Sequence, residues 1–194
     1  MDTLHLRLLT EREARDVYEQ YLLKDFPPDE IKPWRQIQAL LKKNQYLCVG
    51  LFAREALRGY AFFASIPSDG GLTDYLLDYF AVLSSYRDRG LGGAFLSLLG
   101  QYIPQAGLII IEAENPDDDR FPQEKETRLR RLRFYLRNGV LDTGVTAQVW
   151  GVEFRLLIFG GQRKPEPDAI RALYSAFYHS FFPPEVYDSK VLIR

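Results

Sequence analysis

The stretch from Tyr79 to Leu99, YFAVLSSYRDRGLGGAFLSLL, constrains the fold of this chain more than any other. Its first half alternates as a β-strand does, and its second half repeats apolar residues at the spacing of an α-helix. Between the halves stand two arginines and three glycines within seven residues. Glycine lets backbone N–H groups approach a ligand closely, and a helix N-terminus attracts negative charge. The hinge is therefore predicted to bind an anion.

The order of elements around this hinge predicts a mixed sheet. A strand, a helix and a second strand follow one another at residues 72–83, 90–103 and 107–114, and this succession implies a parallel pair. Residues 46–66 are typical of two strands joined by a short turn near Glu55, which is an antiparallel hairpin. The predicted fold class is therefore α/β (or α+β) with a mixed β-sheet.

Local signals define the remaining elements. Thr10 and Glu13 fit a capping box that begins the first helix, and Gly139 fits the left-handed cap that ends a later one. The PSDGG sequence at residues 67–71 predicts a turn. The further predicted helices are 10–24, 33–43, 126–139 and 168–182, and the further predicted strands are 4–10 and one or two within 145–161.

Length and charge limit the class of protein. The 194 residues fit one domain, predicted over residues 1–162, with a linker and helical tail over residues 163–194 that pack on the same domain. The net charge is −1, and the one dense basic run, RLRRLR at residues 128–133, lies on a single predicted helix. Nucleic-acid binders usually show a basic excess, so we expect no nucleic-acid partner.

The cysteine, histidine and apolar residues bear on the cellular location of the chain and on the kinds of site it can form. Cys48 is the only cysteine and lies in an apolar strand, which excludes an intrachain disulfide and favours an inert buried thiol. His5 and His179 are far apart, so no metal site of cysteine and histidine is expected. The N-terminus lacks the apolar stretch of a signal peptide, and no apolar run approaches membrane-spanning length. We therefore expect a cytoplasmic protein without a membrane partner.

The hinge fits one of three phosphate-binding spacings. The P-loop string G-x-x-x-x-G-K-[ST] does not occur in the chain. The dinucleotide spacing G-x-G-x-x-G fails because Phe95 stands at its third glycine. The pattern R-x-x-G-x-G matches fully at residues 87–92, after a strand and at the start of a helix.

With this motif, the sequence resembles the GNAT superfamily of acetyl-CoA-dependent N-acetyltransferases. A second motif, FYLRNGV at residues 134–140, is similar to the ending Y-x-[KR]-x-G-F of that family, and the resemblance extends over Leu4–Phe159. It implies a GNAT-like fold, in which a central, mixed and partly splayed β-sheet has helices on both faces. It also implies acetyl-CoA as cosubstrate and no metal.

The resemblance also implies which residues bind the cofactor. Backbone N–H groups of the hinge can form a nest for a pyrophosphate. In such enzymes the pantetheine pairs with the backbone of the strand before the hinge. The implied cofactor-binding residues are Phe80, Ala81, Val82, Arg87, Asp88, Arg89, Gly90, Leu91, Gly92 and Gly93.

Transfer of acetyl from a thioester to a primary amine, by direct attack in a ternary complex, needs a base for the ammonium and benefits from an acid for the leaving thiolate. The resemblance places Tyr135 as that acid. Asp78, on the strand before the hinge, and Glu114 are candidate bases, and Glu112 is a rival. A carboxylate in an apolar strand is costly unless it is paired, which favours either a functional or an ion-paired role.

The segment KDFPPDEIKPW at residues 24–34 is where this architecture would admit the acceptor, a small-molecule or peptide amine. Its Asp25, Asp29, Glu30 and Trp34 suit a cationic amine, although a solvated connection between helices explains them equally well. The aromatic C-terminal helix is expected either to pack over the sheet or a partner subunit, or to line the acceptor cleft. The sequence does not decide between a monomer and a homodimer. The alternative function is a non-catalytic acyl-CoA-binding or sensor module on the same fold.

Overall fold

The computed structural model describes residues 3–66, 71–103, 106–161, 163 and 165–194, without the side chain of Asp29. Most of the turn predicted at residues 67–71, and part of the predicted linker, lie outside the described residues. The chain divides into two compact units, of which the first is Met1–Ser65 with Leu77–Tyr102 and the second is Ile66–Leu76 with Ile103–Arg194. The domain boundary expected at residue 162 stays a prediction.

Eight strands lie within the described residues. They are β1 (Leu4–Leu8), β2 (Tyr46–Ala53), β3 (Ala56–Ile66), β4 (Thr73–Val82), β5 (Ala106–Glu114), β6 (Leu141–Val149), β7 (Val152–Phe159) and β8 (Val191–Ile193). They form one mixed sheet in the order β1-β2-β3-β4-β5-β7-β6-β8. The predicted fold class, an α/β protein with a mixed sheet, is confirmed.

The helices follow the predicted pattern with two differences. They are α1 (Glu11–Val17), α2 (Leu23–Asp25), α3 (Trp34–Lys42), α4 (Leu91–Tyr102), α5 (Lys125–Arg137), α6 (Pro167–Phe181) and α7 (Pro184–Lys190). The first predicted helix is divided, because a π-helical turn at Tyr18–Leu22 separates α1 from α2. The sequence did not predict α7 or the short strand β8 that follows it.

The capping box at the start of α1 is confirmed. The Thr10 hydroxyl oxygen accepts a hydrogen bond from the Glu13 backbone N–H, over 3.3 Å. In return, the Glu13 carboxylate accepts from the Thr10 backbone N–H, over 2.9 Å. The two bonds satisfy backbone donors that the helix itself leaves without partners.

In the first unit, α4 is held by aromatic packing. The Phe95 ring is fully buried, and its centroid lies 5.1 Å from that of Phe80 on β4. Gly59 of β3 makes room for this contact, because a Cβ there would lie 2.7 Å from the Ala81 carbonyl oxygen and 3.2 Å from the Phe95 ring. Helix α4 is thereby packed, through Phe95, against the end of β4.

In the second unit, β5 lies in the core and pairs with β7, while β6 pairs with both β7 and β8, all antiparallel. Helix α5 packs on β5, and α6 packs on β6. Trp150 and Gly151 form the two-residue turn between β6 and β7, with φ angles of 48° and 85°. Two left-handed residues are typical of the type I′ hairpin turn. The region predicted to hold one or two strands thus holds two.

Candidate functional site

The hinge between β4 and α4 turns the chain through two left-handed residues. A 3₁₀ turn at Ser84–Tyr86 follows β4, and the φ angles of Asp88 and Gly90 are 60° and 75°. Such angles cost glycine little and are tolerated by aspartate better than by most residues. Gly92, by contrast, lies in the first turn of α4 and is helical.

The first turn of α4 is open to an anion. The N–H groups of Leu91, Gly92 and Gly93 have no carbonyl partner within the helix, whereas the Ala94 N–H donates to the Gly90 carbonyl oxygen. The turn contains no acidic residue. A Cβ added to Gly90 would meet no atom of the described residues within 4 Å. The positive end of the helix dipole is therefore accessible, as a phosphate group requires.

The two arginines of the hinge differ in their contacts. Arg87 donates from Nε to the Val82 carbonyl oxygen, over 3.0 Å, and from Nη2 to Asp25 Oδ1, over 2.6 Å. Its charge is therefore compensated by the protein. The Arg89 side chain is exposed and binds none of the described residues. Of the two, Arg89 is the one whose charge is available at the rim of the hinge.

The end of β4 leads directly into the hinge. Ala81 is buried there, and Phe80 and Val82 are half-buried. The alternation of a strand places Asp78 on the same face as Phe80 and Val82. The predicted cofactor-binding residues of the strand and of the hinge are thus continuous within the first unit.

Asp78 is engaged by two side chains. Its Oδ1 lies 2.5 Å from Lys32 Nζ, and its Oδ2 accepts a hydrogen bond from the Tyr46 hydroxyl. The Asp78 side chain is only 7% exposed. Burial, together with the nearby Asp78 charge, raises the pKa of Tyr46 well above its ordinary value, so its hydroxyl remains a donor at neutral pH. An incoming ammonium would find both oxygens of this candidate base occupied.

The Pro-rich segment, residues 26–33, is fixed to β4 by tyrosine hydroxyls. The Tyr79 hydroxyl donates to the Glu30 carbonyl oxygen, over 3.0 Å, and accepts from the Lys32 backbone N–H, over 2.8 Å. The Tyr18 hydroxyl donates to the Lys32 carbonyl oxygen, over 3.1 Å. The segment expected to admit the acceptor is therefore an ordered part of the first unit.

The acidic residues expected to attract the acceptor have different surroundings. The Asp25 side chain, 14% exposed, accepts hydrogen bonds from Arg87 and from the Tyr60 hydroxyl. The prediction for the Asp29 side chain lies outside the described residues. The Trp34 ring packs against Tyr18, with ring centroids 5.5 Å apart. The Asp25 carboxylate is thus bound by other side chains of the protein.

Tyr135 lies on α5 in the second unit, half-buried and stacked edge-on against Phe134 at 5.3 Å. Burial raises its pKa to about 12, so the hydroxyl is protonated at neutral pH. No described residue forms a hydrogen bond with that hydroxyl. A protonated hydroxyl without a protein partner has the properties of a proton donor for a ligand.

The carboxylates of β5 are held by neighbouring helices. Glu114 accepts a hydrogen bond from Arg131 and lies 3.5 Å from Arg128, both on α5. Glu112 accepts hydrogen bonds from the Tyr174 and Tyr178 hydroxyls. The aromatic residues of α6 therefore pack over the sheet and bind Glu112, which was one of the two roles expected for the C-terminal helix.

Arg128 is buried although it belongs to the dense basic run at residues 128–133. Its side chain is 2% exposed, with Nη2 2.6 Å from Glu124 and Nη1 3.6 Å from Asp118. Its guanidinium group also lies 4.7 Å from the Phe121 ring centroid. The sequence did not predict this cluster, for which the only local signal is the i,i+4 spacing of Glu124 and Arg128.

The described residues contain neither a cluster suited to a metal ion nor a membrane-spanning helix. No group of three or more histidine, cysteine, aspartate or glutamate side chains there could hold a metal ion. None of the helices in the described part is both long enough and apolar enough to cross a membrane.

Comparison with known proteins identifies the fold. No protein-family model and no curated protein matches the sequence. Among solved structures, the chain is similar to a protein assigned to the GNAT family of acetyltransferases from Bacteroides thetaiotaomicron. The two share 18% identity at a TM-score of 0.68, over 91% of this chain and 97% of the other.

Two further structures contain cofactors. A Salmonella typhimurium protein in complex with its cofactor acetyl-CoA is 17% identical, with a TM-score of 0.56 over 86% of this chain and 99% of that one. The Vibrio cholerae spermidine N-acetyltransferase in complex with CoA and spermine is 11% identical, with a TM-score of 0.55 over 80% and 94%. The likeness confirms the fold implied by the two sequence motifs: this chain has the fold of the GNAT-family acetyltransferases.

Proposed function

We propose that this chain is an N-acetyltransferase that transfers acetyl from acetyl-CoA to a primary amine, on a small molecule or a peptide. The observation that supports this most directly is the hinge, where a complete R-x-x-G-x-G motif presents N–H groups that have no acceptor within the helix, at the positive end of α4. The similar Salmonella typhimurium protein binds acetyl-CoA, and the Vibrio cholerae enzyme was solved with CoA and spermine.

The residues of the first unit fit such a cosubstrate. The N–H groups of Leu91, Gly92 and Gly93 would bind the pyrophosphate, with Arg89 adding charge beside them. The backbone at Phe80 would pair with the pantetheine. The Val82 carbonyl oxygen already accepts from Arg87, so it is less available for that pairing.

In the proposed reaction, the amine nitrogen attacks the thioester carbonyl carbon, a C–N bond forms and the C–S bond breaks. The sulfur leaves as a thiolate and takes a proton from the Tyr135 hydroxyl, which its raised pKa keeps protonated. The ammonium proton passes to a carboxylate, for which Asp78 and Glu114 are the candidates. Both are already paired with basic side chains, so the amine must displace Lys32 or Arg131, or use a bridging water.

A second candidate function, a non-catalytic acyl-CoA-binding module, is favoured by one observation. Asp78, Glu112 and Glu114 all accept hydrogen bonds from side chains of the protein. A chain that only binds acyl-CoA needs no proton acceptor, and such pairing would be purely structural.

An acetyl-transfer assay separates the two functions. The full chain is incubated with acetyl-CoA and a panel of amines, CoA release is followed by thiol detection, and acetylated products are identified by mass spectrometry. We expect amine-dependent release of CoA. Asp78→Asn and Glu114→Gln are then compared, and the variant that removes the base should lose about 100-fold in kcat. Binding of acetyl-CoA without turnover of any amine would instead support the binding module.

A further inference from the structure

Asp25 connects two parts of the first unit that are distant in sequence. It is the last residue of α2, and its Oδ1 accepts a hydrogen bond from Arg87 Nη2, 62 residues later. Its Oδ2 accepts one from the Tyr60 hydroxyl, over 2.9 Å. Burial of the Tyr60 ring, together with the Asp25 charge, raises the pKa of Tyr60, which keeps that hydroxyl a donor. Both carboxylate oxygens are therefore held by fixed partners.

Arg87 extends this connection into the hinge. Its guanidinium group uses Nε for the Val82 carbonyl oxygen and Nη2 for Asp25, so that two acceptors share one planar group. The next residue is Asp88, whose left-handed φ of 60° is unfavourable for a residue with a side chain. Arg87 is thus anchored immediately before Asp88, the first left-handed residue of the hinge.

We propose that Asp25 is a positioning residue, which fixes Arg87 and thereby holds the hinge in the conformation that binds the CoA pyrophosphate. This inference rests on the proposed function. An anchored hinge presents the N–H groups of α4 without further ordering. A hinge without the anchor relaxes away from the left-handed conformation and must be ordered again when CoA binds. Asp25 therefore acts on cofactor affinity although it belongs to the helix before the Pro-rich segment.

Calorimetry with CoA on the full chain tests this role. We expect Asp25→Asn to weaken CoA binding about tenfold, because ordering of the hinge then opposes binding. Arg87→Lys should weaken it similarly, since a single ammonium cannot replace the two separate donors. The double variant should bind about as well as either single variant, because the two residues act as one unit. Glu19→Gln, which breaks the exposed pair with Arg15, is the matched control and should leave affinity unchanged.

Hydrogen exchange in the ligand-free chain gives a readout that does not depend on the proposed function. Asp25→Asn should speed exchange of the amides at residues 84–90 about tenfold, while the amides of β3 stay protected. Tighter CoA binding by Asp25→Asn would overturn the proposal, since Asp25 would then compete with the phosphates for Arg87. Unchanged CoA affinity in Asp25→Asn would also overturn it, whatever the exchange rates. If the wild type does not bind CoA, the proposed function fails, and the exchange rates alone decide whether Asp25 orders the hinge.

Discussion

Lys32 Nζ lies 2.5 Å from Asp78 Oδ1, so a lysine of the Pro-rich segment is paired with a carboxylate in the middle of the sheet. The Lys32 side chain is 27% exposed and that of Asp78 only 7%. Tyr46 binds the second carboxylate oxygen. Because Asp78 is largely removed from water, these two partners stabilise its carboxylate in place of solvent.

Replacement of Lys32 by methionine should therefore destabilise the fold. We expect Lys32→Met to lower the free energy of unfolding by about 2 kcal/mol, because a mostly buried carboxylate then keeps only a tyrosine partner. Urea denaturation measures this change. Lys42→Met on α3, where the lysine is exposed, is the matched control and should change stability by less than about 0.5 kcal/mol. Equal effects of the two variants would show that the pair adds no stability.

Removal of the Tyr135 hydroxyl should affect turnover alone. Tyr135→Phe should reduce kcat by about 100-fold, because the leaving thiolate loses its acid, while KM for acetyl-CoA changes little. The melting temperature should be unchanged, since no described residue binds that hydroxyl. Tyr102→Phe, at the end of α4, serves as the control. Full kcat in Tyr135→Phe, measured on an accepted amine, would make Tyr135 a packing residue.

The buried arginine of α5 should be essential for stability in the second unit. Arg128→Met should lower the free energy of unfolding by about 3 kcal/mol, because carboxylates of Glu124, Asp118 and Glu114 lose their shared cation. Chemical denaturation of Arg128→Met is compared with that of Arg130→Met, an exposed position on the same helix. A loss no larger than in Arg130→Met would contradict the role given to this cluster.

The capping box of α1 should make stability depend on pH. Hydrogen bonds from Arg7, and then from the Thr10 backbone, lower the pKa of Glu13 from 4.5 to about 2. A carboxyl whose pKa falls on folding stabilises the fold above its unfolded pKa, and this contribution is lost as pH falls from about 4.5 to about 2. The side chain is 36% exposed, and solvent screening reduces the contribution to about 1 kcal/mol.

Unfolding free energies measured across this pH range test the contribution. Glu13→Gln should lose about 1 kcal/mol less than the wild type between pH 4.5 and pH 2. Glu126→Gln, at an exposed position that binds no described residue, should follow the wild type. Parallel curves for the wild type and Glu13→Gln would contradict the assignment.

The sequence predicted most of the fold because its elements have strong local signals. Periodicity located β4 and α4 on either side of the hinge, and the capping box located the start of α1. The π-helical turn at Tyr18–Leu22 left no such signal. The prolines at residues 183–184 predict the end of the last helix, yet proline also suits a first helical turn, and α7 begins there.

The parts of the candidate site that consist of consecutive residues were predictable from the sequence. The contacts between residues that are distant in sequence were not. The motif identified Gly90 and the hinge, but Asp25, which binds Arg87, and Lys32, which binds Asp78, are 62 and 46 residues away from them. The sequence therefore left the Asp25 carboxylate either open to a cationic amine or solvated, whereas the structure pairs it with an arginine. Such pairings arise only when distant elements come together.

Calorimetry of acetyl-CoA binding to the full chain tests the central claim most directly. The account predicts binding at one site per chain, and acetyl-CoA at about 100 times its Kd should stabilise the fold by about 2.7 kcal/mol. Gly92→Val should abolish binding while the fold survives, because a branched side chain in the first turn of α4 blocks approach of the pyrophosphate. Ser97→Val, exposed on the same helix, should bind like the wild type. No detectable binding by the wild type, or full affinity in Gly92→Val, would contradict the account.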